Sequence, residues 1–377
     1  MTDWLGDRKQ ATQVRRRLLD WFRRHQRRNM PWRQTKDPYR VWVSEIMLQQ
    51  TRVAIALGYY ERFLSAFPTL EVLAAADEQD VLKSWEGMGY YARARNLHRA
   101  AKMVIHEFGG QVPDTYEGLL QLPGIGPYTA AAVSSIASDG RHPVLDGNVT
   151  RLLCRLLRID EDPRRTAVKA ELIAAGERLV PERGSAGEVN QAMMELGGRV
   201  CRPRKPLCGE CPLADDCRAL QDLADPVELP MKVAAKERPH YEVTAGLIWN
   251  DSEQLLLARR PPDGMLGGLW EFPGGKQEPR ESLSQCLRRE ILEELDFEIE
   301  VGERVGSVEH GYSHFSITLH AFIARHQRGT PKAIGCDEWR WVRPANLDDF
   351  PMPRSDRRLL EQLEGSGRDL RFAPLEQ

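Results

Sequence analysis

Residues 201–217 read CRPRKPLCGECPLADDC, a stretch that places Cys201, Cys208, Cys211 and Cys217 with six, two and five residues between them. Four thiolates this close together indicate either a metal site or two disulfide bonds. Nothing at the N-terminus (MTDWLGD) resembles a secretory signal, so we expect a cytoplasmic protein whose thiols stay reduced. Four thiolate ligands suit tetrahedral zinc or a 4Fe–4S cluster, and these residues alone leave both open.

The composition is that of an ordinary globular protein. A length of 377 residues favours two domains, and a hydrophobic fraction of 41% is ample for a buried core. The net charge of −2 gives no overall signal for nucleic-acid binding, so any basic DNA-binding surface has to be local. No apolar run approaches membrane-spanning length, and we expect no contact with a membrane.

The hydrophobic pattern changes once along the chain. Residues 10–225 have an almost wholly helical pattern, with glycines and prolines between the helical segments, and we predict a first domain at 1–225. Residues 226–240 contain three prolines and read as a linker. Residues 241–377 combine several strand-like segments with one helix near 282–295, so we predict that this part is an α+β domain.

The sequence LPGIG at residues 122–126 lies between two helical segments. Gly124 and Gly126 allow a tight turn that exposes consecutive backbone N–H groups at the start of the next helix. Such groups bind phosphate well, although a plain helix–helix turn would also explain two glycines. Phosphate contacts position a protein on the DNA backbone without reading the sequence.

Two carboxylates stand out. Glu45 lies within VWVSEIMLQQT (residues 41–51), where apolar side chains surround it on a helical wheel, and burial raises the pKa of a carboxyl group. Asp146 precedes a helical run and could act as its N-cap alone. Cleavage of a glycosidic bond needs an acid for the leaving group and an anion for the cationic sugar. Glu45 and Asp146 fit these two roles.

Taken together, the motifs resemble the MutY-type adenine DNA glycosylases of the endonuclease III superfamily. The similar stretches are MPWR (30–33), VSEIMLQQT (43–51), GMGYY (87–91) and LDGNV (145–149), in addition to the LPGIG hairpin and the cysteine loop. The resemblance implies a multidomain fold: an all-α helix-hairpin-helix glycosylase domain that carries a 4Fe–4S cluster loop at 201–217, followed by an α+β Nudix-like domain.

The resemblance also implies a reaction. Adenine would be flipped out of duplex DNA, and Glu45 would protonate it at N7. Asp146 would stabilise or trap the sugar cation, while Tyr128 and Asn148 would orient this chemistry. Tyr128 stands where bifunctional members have the lysine that forms a Schiff base, so we expect no lyase activity.

Further residues take roles through the same resemblance. The expected partner is duplex DNA with an A:8-oxoguanine or A:G mispair, bound by a monomeric, nucleoid-associated protein with one 4Fe–4S cluster. In the 8-oxoguanine loop, Tyr312 stands where the family commonly has phenylalanine. The implied groups are the adenine pocket (Trp32, Arg33, Gln191), the DNA contacts and wedge (Gln50, Thr51, Met88, Tyr90, Gly124, Gly126) and the 8-oxoguanine reader (Tyr312, Ser313, His314).

The second half carries most of a Nudix box. Glu290, Glu293 and Glu294 share one helix face, on which glutamates could hold Mg²⁺, but Asp296 replaces the usual glycine at the end of the box. A nucleotide pyrophosphohydrolase fused to a DNA-binding module is therefore one alternative. A mismatch glycosylase for another base, such as thymine, is a second. A non-catalytic iron–sulfur DNA-binding protein is a third, and it would leave Glu45 and Asp146 without a purpose.

Overall fold

The computed structural model of the protein describes residues 7–182, 184–231 and 238–365. The predicted linker at 226–240 falls partly outside these residues, as do the outer ends of both predicted domains, and their boundaries stay a prediction. In the described part of the chain, no helix is both long enough and apolar enough to cross a membrane.

The chain forms two compact units. The first unit comprises residues 1–75 and 96–235, and the second comprises residues 76–95 and 236–377. The segment 76–95 thus packs with the C-terminal part of the chain, although its own pattern is helical like that of its neighbours in sequence.

The part of the chain before residue 231 is helical wherever it is regular. No strand occurs there among the described residues, as the sequence predicts. The helices are α1 (Arg8–His25), α2 (Pro38–Leu48), α3 (Val53–Ala66), α4 (Leu70–Ala75), α5 (Glu78–Ser84), α6 (Ala92–Glu107), α7 (Tyr116–Leu120), α8 (Pro127–Ser138), α9 (Gly147–Leu157), α10 (Thr166–Leu179), α11 (Ala186–Arg199) and α12 (Arg218–Asp222). Of these, α5 and the first turn of α6 belong to the second unit.

The core of the first unit forms around α1, α9, α10 and α11. In α1, Val14, Leu18 and Phe22 recur every four residues, so they share one face, and all three are buried. They pack in one cluster with apolar residues of the other three helices, such as Leu153 and Met193. This shared core fixes the helices that carry the polar residues of the site.

A glycine sets the distance between α9 and α11. A Cβ atom at Gly197 would lie 2.7 Å from the carbonyl oxygen of Asn148, closer than any side chain tolerates. Only glycine therefore allows the two helices to approach this closely. Because Asn148 lies in the first turn of α9, two residues after Asp146, this contact also fixes the backbone beside a predicted catalytic carboxylate.

The predicted hairpin joins α7 to α8. Gly124 has φ +79°, a left-handed conformation that favours glycine, and a Cβ atom there would lie 2.6 Å from Cβ of Asn96. Gly126 is the N-cap of α8, and Pro127 occupies its first turn, where no N–H is needed. The first N–H groups of α8 therefore follow the turn, as the motif predicts.

The second unit contains a six-stranded sheet. Its strands are β1 (His240–Trp249), β2 (Leu255–Arg259), β3 (Trp270–Glu271), β4 (Glu298–Gly311), β5 (Ser316–Arg328) and β6 (Glu338–Val342). The order is β3-β2-β1-β5-β4, with β6 paired to β2. Among the strands that the structure describes, β1 and β5 form the only parallel pair. The unit also contains α13 (Leu283–Leu295) and α14 (Arg354–Gly365), so the predicted α+β class is confirmed.

The two faces of this sheet have separate cores. Because side chains alternate along a strand, Leu247 and Ile248 of β1 point to opposite faces. Ile248 packs in a cluster with Leu287 of α13, and Leu247 packs in a cluster with Leu359 of α14. Both sides of the sheet are therefore covered, each by one helix.

Candidate active site

Glu45 is a buried carboxyl on α2, with 4% of its surface exposed. Burial raises the pKa of Glu45 to about 7, with a smaller contribution in the same direction from the charge of Asp146. The Tyr128 hydroxyl, which donates a hydrogen bond to Glu45 Oε2 at 2.9 Å, and the charge of Arg33 act in the opposite direction. The carboxyl can hold a proton near neutral pH, as a general acid must.

Asp146 is the N-cap of α9. Its Oδ1 accepts hydrogen bonds from the backbone N–H groups of Asn148 at 3.0 Å and Val149 at 2.7 Å. Its Oδ2 accepts a further bond from Asn148 Nδ2 at 2.8 Å. Asp146 therefore does cap α9. It also lines, together with Glu45, a cavity in the first unit.

One cavity of about 310 Å³ in the first unit brings the predicted residues together. A planar base needs such a recess, with an acid on one side and an anion on the other. The residues of the catalytic and adenine-pocket predictions that line it are Trp32, Arg33, Glu45, Tyr128, Asp146, Asn148 and Gln191. All seven lie at one site, although they come from five separate segments of sequence.

Glu195 lines the same cavity and was not predicted from the sequence. Its carboxylate is buried and accepts two bonds from Arg27, at 2.8 and 2.9 Å, and one from Arg33 Nη2 at 2.9 Å. The other terminal nitrogen of Arg33, Nη1, is buried and has no hydrogen-bond partner in the described part of the chain. A donor held in this way suits an acceptor atom of a base. The sequence could have indicated Glu195, because this residue follows Gln191 by four positions and therefore lies on the same face of α11.

A second, wider cleft of about 950 Å³ opens beside the first. Gln50, Thr51 and Gly126, three of the predicted DNA contacts, line it together with Tyr128 and Asp146. Gln50 is exposed and has φ +55°, an unusual conformation for a residue other than glycine, so the backbone holds its side chain in a defined place.

The pH dependence of the reaction follows from the pKa of Glu45. We expect kcat/KM to be flat in mild acid and to fall about tenfold per pH unit above pH 7, because only the protonated carboxyl can serve as the acid. Initial rates on a mispaired duplex between pH 5 and pH 9 measure this limb. A rate that rises through pH 7 would instead make Glu45 a general base.

The four cysteines of the loop line one further cavity in the first unit. Burial raises the pKa of Cys211 to about 12, and the charges of Cys201, Cys208 and Cys217 act in the same direction. The four sulfurs are therefore close enough to influence one another. Within the described residues, no three such side chains are grouped to hold a single metal ion. Four thiolates on one loop suit a 4Fe–4S cluster, in which each iron takes one cysteine ligand.

Arg155 braces this loop from α9. Its side chain is 2% exposed and donates to the carbonyl oxygens of Leu229 at 2.9 Å, Arg202 at 2.7 Å and Pro203 at 3.2 Å. Its Nη1 also lies 3.4 Å from Cys201 Sγ. A buried positive charge beside a thiolate favours the ionised form that binds iron.

Arg151 links the loop to the catalytic residues. Its Nε donates to the carbonyl oxygen of Cys201 at 2.7 Å, and its Nη2 donates to Asn148 Oδ1 at 2.9 Å. Asn148 in turn donates to Asp146. Two side chains thus separate the cysteine loop from a predicted catalytic carboxylate.

Comparison with known proteins places the two units in known families. Residues 43–177 match the family described as HhH-GPD superfamily base excision DNA repair proteins. Residues 201–217 match the iron–sulfur binding domain of endonuclease III, and residues 244–362 match the NUDIX domain.

Two relatives that match most of the chain are described as adenine DNA glycosylases. The chain is 35% identical to the adenine DNA glycosylase of Rattus norvegicus, over 88% of this chain and 74% of the relative. It is 30% identical to the adenine DNA glycosylase of Buchnera aphidicola (strain APS), over 92% of this chain and 96% of the relative. This chain belongs to the adenine DNA glycosylase family.

Among solved structures, a thermostable thymine-DNA glycosylase is 28% identical, with a TM-score of 0.51, and covers 56% of this chain and 97% of its own. That likeness is limited to about half of the chain. As a member of the adenine DNA glycosylase family, the protein is a DNA glycosylase of base excision repair that binds DNA and carries one 4Fe–4S cluster. We propose that Cys201, Cys208, Cys211 and Cys217, which all lie in the matched iron–sulfur segment, are its ligands.

Replacing Arg155 with methionine should cause this glycosylase to lose its 4Fe–4S cluster. Methionine keeps an apolar stem, but it removes the donor to three backbone carbonyls, of which that of Leu229 is buried, and it removes the charge beside Cys201. We expect lower iron content per chain, weaker visible absorbance of the cluster and a loss of about 3 kcal/mol in the free energy of unfolding. The half-exposed Arg158, paired with Asp222, is the matched control as Arg158→Met. A full complement of iron in Arg155→Met would contradict this role.

Two of the predicted wedge residues, Met88 and Tyr90, and the predicted 8-oxoguanine residues lie in the second unit. Tyr90 is 43% exposed, has φ +52°, and shares a hydrogen bond of 2.6 Å with the Ser313 hydroxyl. Ser313 and His314 are exposed at the turn between β4 and β5. Met88 is buried, with 8% of its surface exposed, and so presents little of its side chain.

Tyr312 is partly buried, whereas Ser313 and His314 are exposed. Its ring packs against Phe315 and the core of the second unit, and its hydroxyl lies 3.4 Å from Ser355 Oγ. Ser313 and His314 therefore stand on a turn that Tyr312 anchors from within. The aromatic character that the sequence retains at this position serves packing.

The carboxylates of the Nudix box contact an arginine. Arg289 of α13 pairs with Glu290 at 3.1 Å and Glu293 at 3.0 Å on the same helix, and with Glu281 at 2.7 Å in the preceding loop. No cluster of three or more acidic, histidine or cysteine side chains suited to a metal ion occurs among the residues described. These contacts give the box a structural role in joining α13 to the preceding loop.

Proposed function

We propose that this glycosylase removes adenine paired with 8-oxoguanine or guanine from duplex DNA, and that it cleaves only the N-glycosidic bond. The observation that carries the proposal is the shared cavity, in which a buried carboxyl with a pKa of about 7, Glu45, lies with Tyr128 and Asp146. An acid and an anion are the two groups that departure of a base requires.

The steps follow from these side chains. Adenine, flipped out of the stack, enters the cavity, where Glu45 donates its proton to N7 and the bond to the sugar breaks. Asp146 stabilises the positive charge that develops on the sugar, while Tyr128 and Asn148 hold the two carboxyls. Water then completes the hydrolysis.

The pocket recognises the base through Trp32, Arg33 and Gln191. Burial lowers the pKa of Arg33, although Glu195 opposes this shift, and its unpartnered Nη1 offers a donor to an acceptor on the base. Tyr128 carries no amine, so no Schiff base can form at this position and strand cleavage is not expected. Gly124 and Gly126 place backbone N–H groups for a phosphate.

The second unit supplies recognition of the damaged base. Tyr90 is the exposed residue that enters the base stack, on a loop that it shares with Met88, and Ser313 and His314 contact 8-oxoguanine. Gln50 and Thr51, which belong to the first unit, contact the DNA. The exposure of Tyr90, Ser313 and His314 supports this assignment, because each can reach a partner outside the protein. We further propose a monomer that works on the nucleoid in the cytoplasm, with domains at 1–225 and 241–377 joined by a linker at 226–240.

The choice of substrate is tested with one series of duplexes. Incubation with A:8-oxoguanine, A:G, T:G and U:G pairs, followed by measurement of the free base, should show release of adenine alone. Release of thymine or uracil at a comparable rate would overturn the assignment. Strand breaks that persist without heat or alkali would contradict the argument from Tyr128.

Ser313→Ala should lower the preference for 8-oxoguanine. Loss of one hydroxyl that can bond to the damaged base should reduce the A:8-oxoguanine rate about tenfold and leave the A:G rate nearly unchanged. Ser316→Ala is the matched control, because that hydroxyl, three residues along, bonds to His240 within the sheet. If both duplexes slowed equally, Ser313 would have no part in reading the lesion.

A further inference from the structure

We propose that Glu86 is a positioning residue that fixes the wedge loop, residues 87–91, to the C-terminal part of the second unit through Met352 and Arg357. In this arrangement the segment after the sheet determines how firmly Tyr90 is held for base extrusion. The inference rests on the wedge role given to Tyr90 under the proposed function.

The Glu86 carboxylate makes three short contacts. Its Oε1 accepts a hydrogen bond from the Met352 backbone N–H at 2.9 Å and one from Arg357 Nε at 2.6 Å. Its Oε2 accepts a bond from Lys83 Nζ at 2.7 Å. The side chains of Glu86 and Arg357 are only 16% and 11% exposed, so this ion pair is largely shielded from water.

The wedge loop is bound on both sides to one residue. Met352 is fully buried, and its N–H bonds to Glu86, directly before the loop. Its carbonyl oxygen accepts a bond from the Tyr91 hydroxyl, at the end of the loop, at 3.3 Å. The same hydroxyl accepts a bond from the Gly87 N–H at 3.0 Å. The backbone N–H and carbonyl oxygen of one buried residue, Met352, thus hold the two ends of the loop.

The loop needs such support because its backbone is unusual. Gly87 and Gly89 have φ +87° and +78°, and Tyr90 has φ +52°, so three of five residues are left-handed. A bulky residue in this region carries a conformational cost and persists only where its surroundings enforce it. The attachment at Glu86 is one of those surroundings.

Arg357 is itself held in place. Its guanidinium donates to the carbonyl oxygen of Leu347 at 3.1 Å and contacts Asp348 at 2.8 Å. Glu86 therefore pairs with a guanidinium whose orientation is already fixed, and this lowers the conformational entropy that is lost when the ion pair forms. Removing either partner leaves the other charge shielded from water and unpaired.

The test measures base extrusion directly. With a duplex that carries 2-aminopurine beside the mispaired adenine, Glu86→Gln should slow the fluorescence rise on extrusion about tenfold. Cluster absorbance and affinity for undamaged duplex should stay as in the parent protein. Glu361→Gln is the matched control, because it breaks another glutamate–arginine pair on α14, that with Arg354, which is about half exposed. Unchanged extrusion in Glu86→Gln would overturn the proposal.

Variants of Arg357 and a shorter acid at position 86 test the same ion pair. Arg357→Gln should slow extrusion like Glu86→Gln, and the double variant should be no slower than either single one, because both disable one contact. Additive losses would overturn the proposed pair. If Glu86→Gln folds poorly, Glu86→Asp, which keeps the charge but shortens the reach, should show an intermediate rate.

Tyr90→Ala separates this inference from the wedge assignment. If Tyr90→Ala leaves extrusion unchanged, the wedge role itself fails. If Tyr90→Ala slows extrusion while Glu86→Gln does not, the wedge stands and the positioning role of Glu86 is wrong. Thermal unfolding of each variant, followed in the same buffer, distinguishes slower extrusion from partial unfolding.

Discussion

Replacement of Glu45 by glutamine should lower the rate of adenine release by about three orders of magnitude while leaving DNA affinity nearly unchanged. Glutamine has almost the same shape and can still accept the bond from Tyr128, so the cavity should keep its form. It has no acidic proton to give to the leaving base. Single-turnover release of adenine from an A:8-oxoguanine duplex, together with a binding titration of the same duplex, measures both quantities.

Glu188→Gln is the matched control for this prediction. Glu188 also lies on a helix of the first unit, but it pairs with Arg23 in a partly exposed position and does not line the cavity. Its replacement should change the rate less than twofold, in keeping with the small contribution of an exposed ion pair. Near-normal turnover by Glu45→Gln would remove the general acid from the mechanism.

Asp146→Asn should reduce adenine release by about two to three orders of magnitude, because the negative charge that stabilises the sugar cation is lost. Asparagine is as good an N-cap as aspartate, so α9 should remain intact. Its amide oxygen can still accept from the N–H groups of Asn148 and Val149. Release of adenine under single-turnover conditions and far-ultraviolet circular dichroism of the same sample test the two statements.

Asp37→Asn makes the same chemical change at another helix N-cap. Asp37 caps α2 by accepting from Tyr39 N–H at 2.9 Å and does not line the cavity. Its variant should keep full activity. If Asp146→Asn were equally active, Asp146 would be a cap and nothing more, the simpler of the two readings that its sequence allows.

Local patterns predict local structure well in this chain. The hairpin glycines, the cap at Asp146 and the apolar neighbours of Glu45 all act within a few residues, and the structure has each where the sequence indicates it. The strands of the second unit lie in the part of the chain that the sequence predicts to be α+β, but the two-residue β3 (Trp270–Glu271) is too short to give a pattern.

Contacts between distant segments were not predictable. The spacing from Gln191 could indicate that Glu195 reaches the cavity, but nothing near residue 195 indicates its partner Arg33, which lies on a distant segment. Segment 76–95 packs with the second unit through contacts such as that of Gln79 Oε1 with Trp270 Nε1, across many residues of sequence. The burial of Met88 and the inward ring of Tyr312 likewise depend on their neighbours in space.

The burial of Glu45 also has a thermodynamic consequence for the whole fold. The pKa of Glu45 is about 7 in the native state and near 4.5 in an unfolded chain, so the native state binds the proton more tightly. The stability this provides is fully present below pH 4.5 and is lost as the pH rises through 7, by about 3 kcal/mol in total. Glu45→Gln removes that dependence, so the inactive variant should unfold at a higher temperature than the parent protein at pH 8.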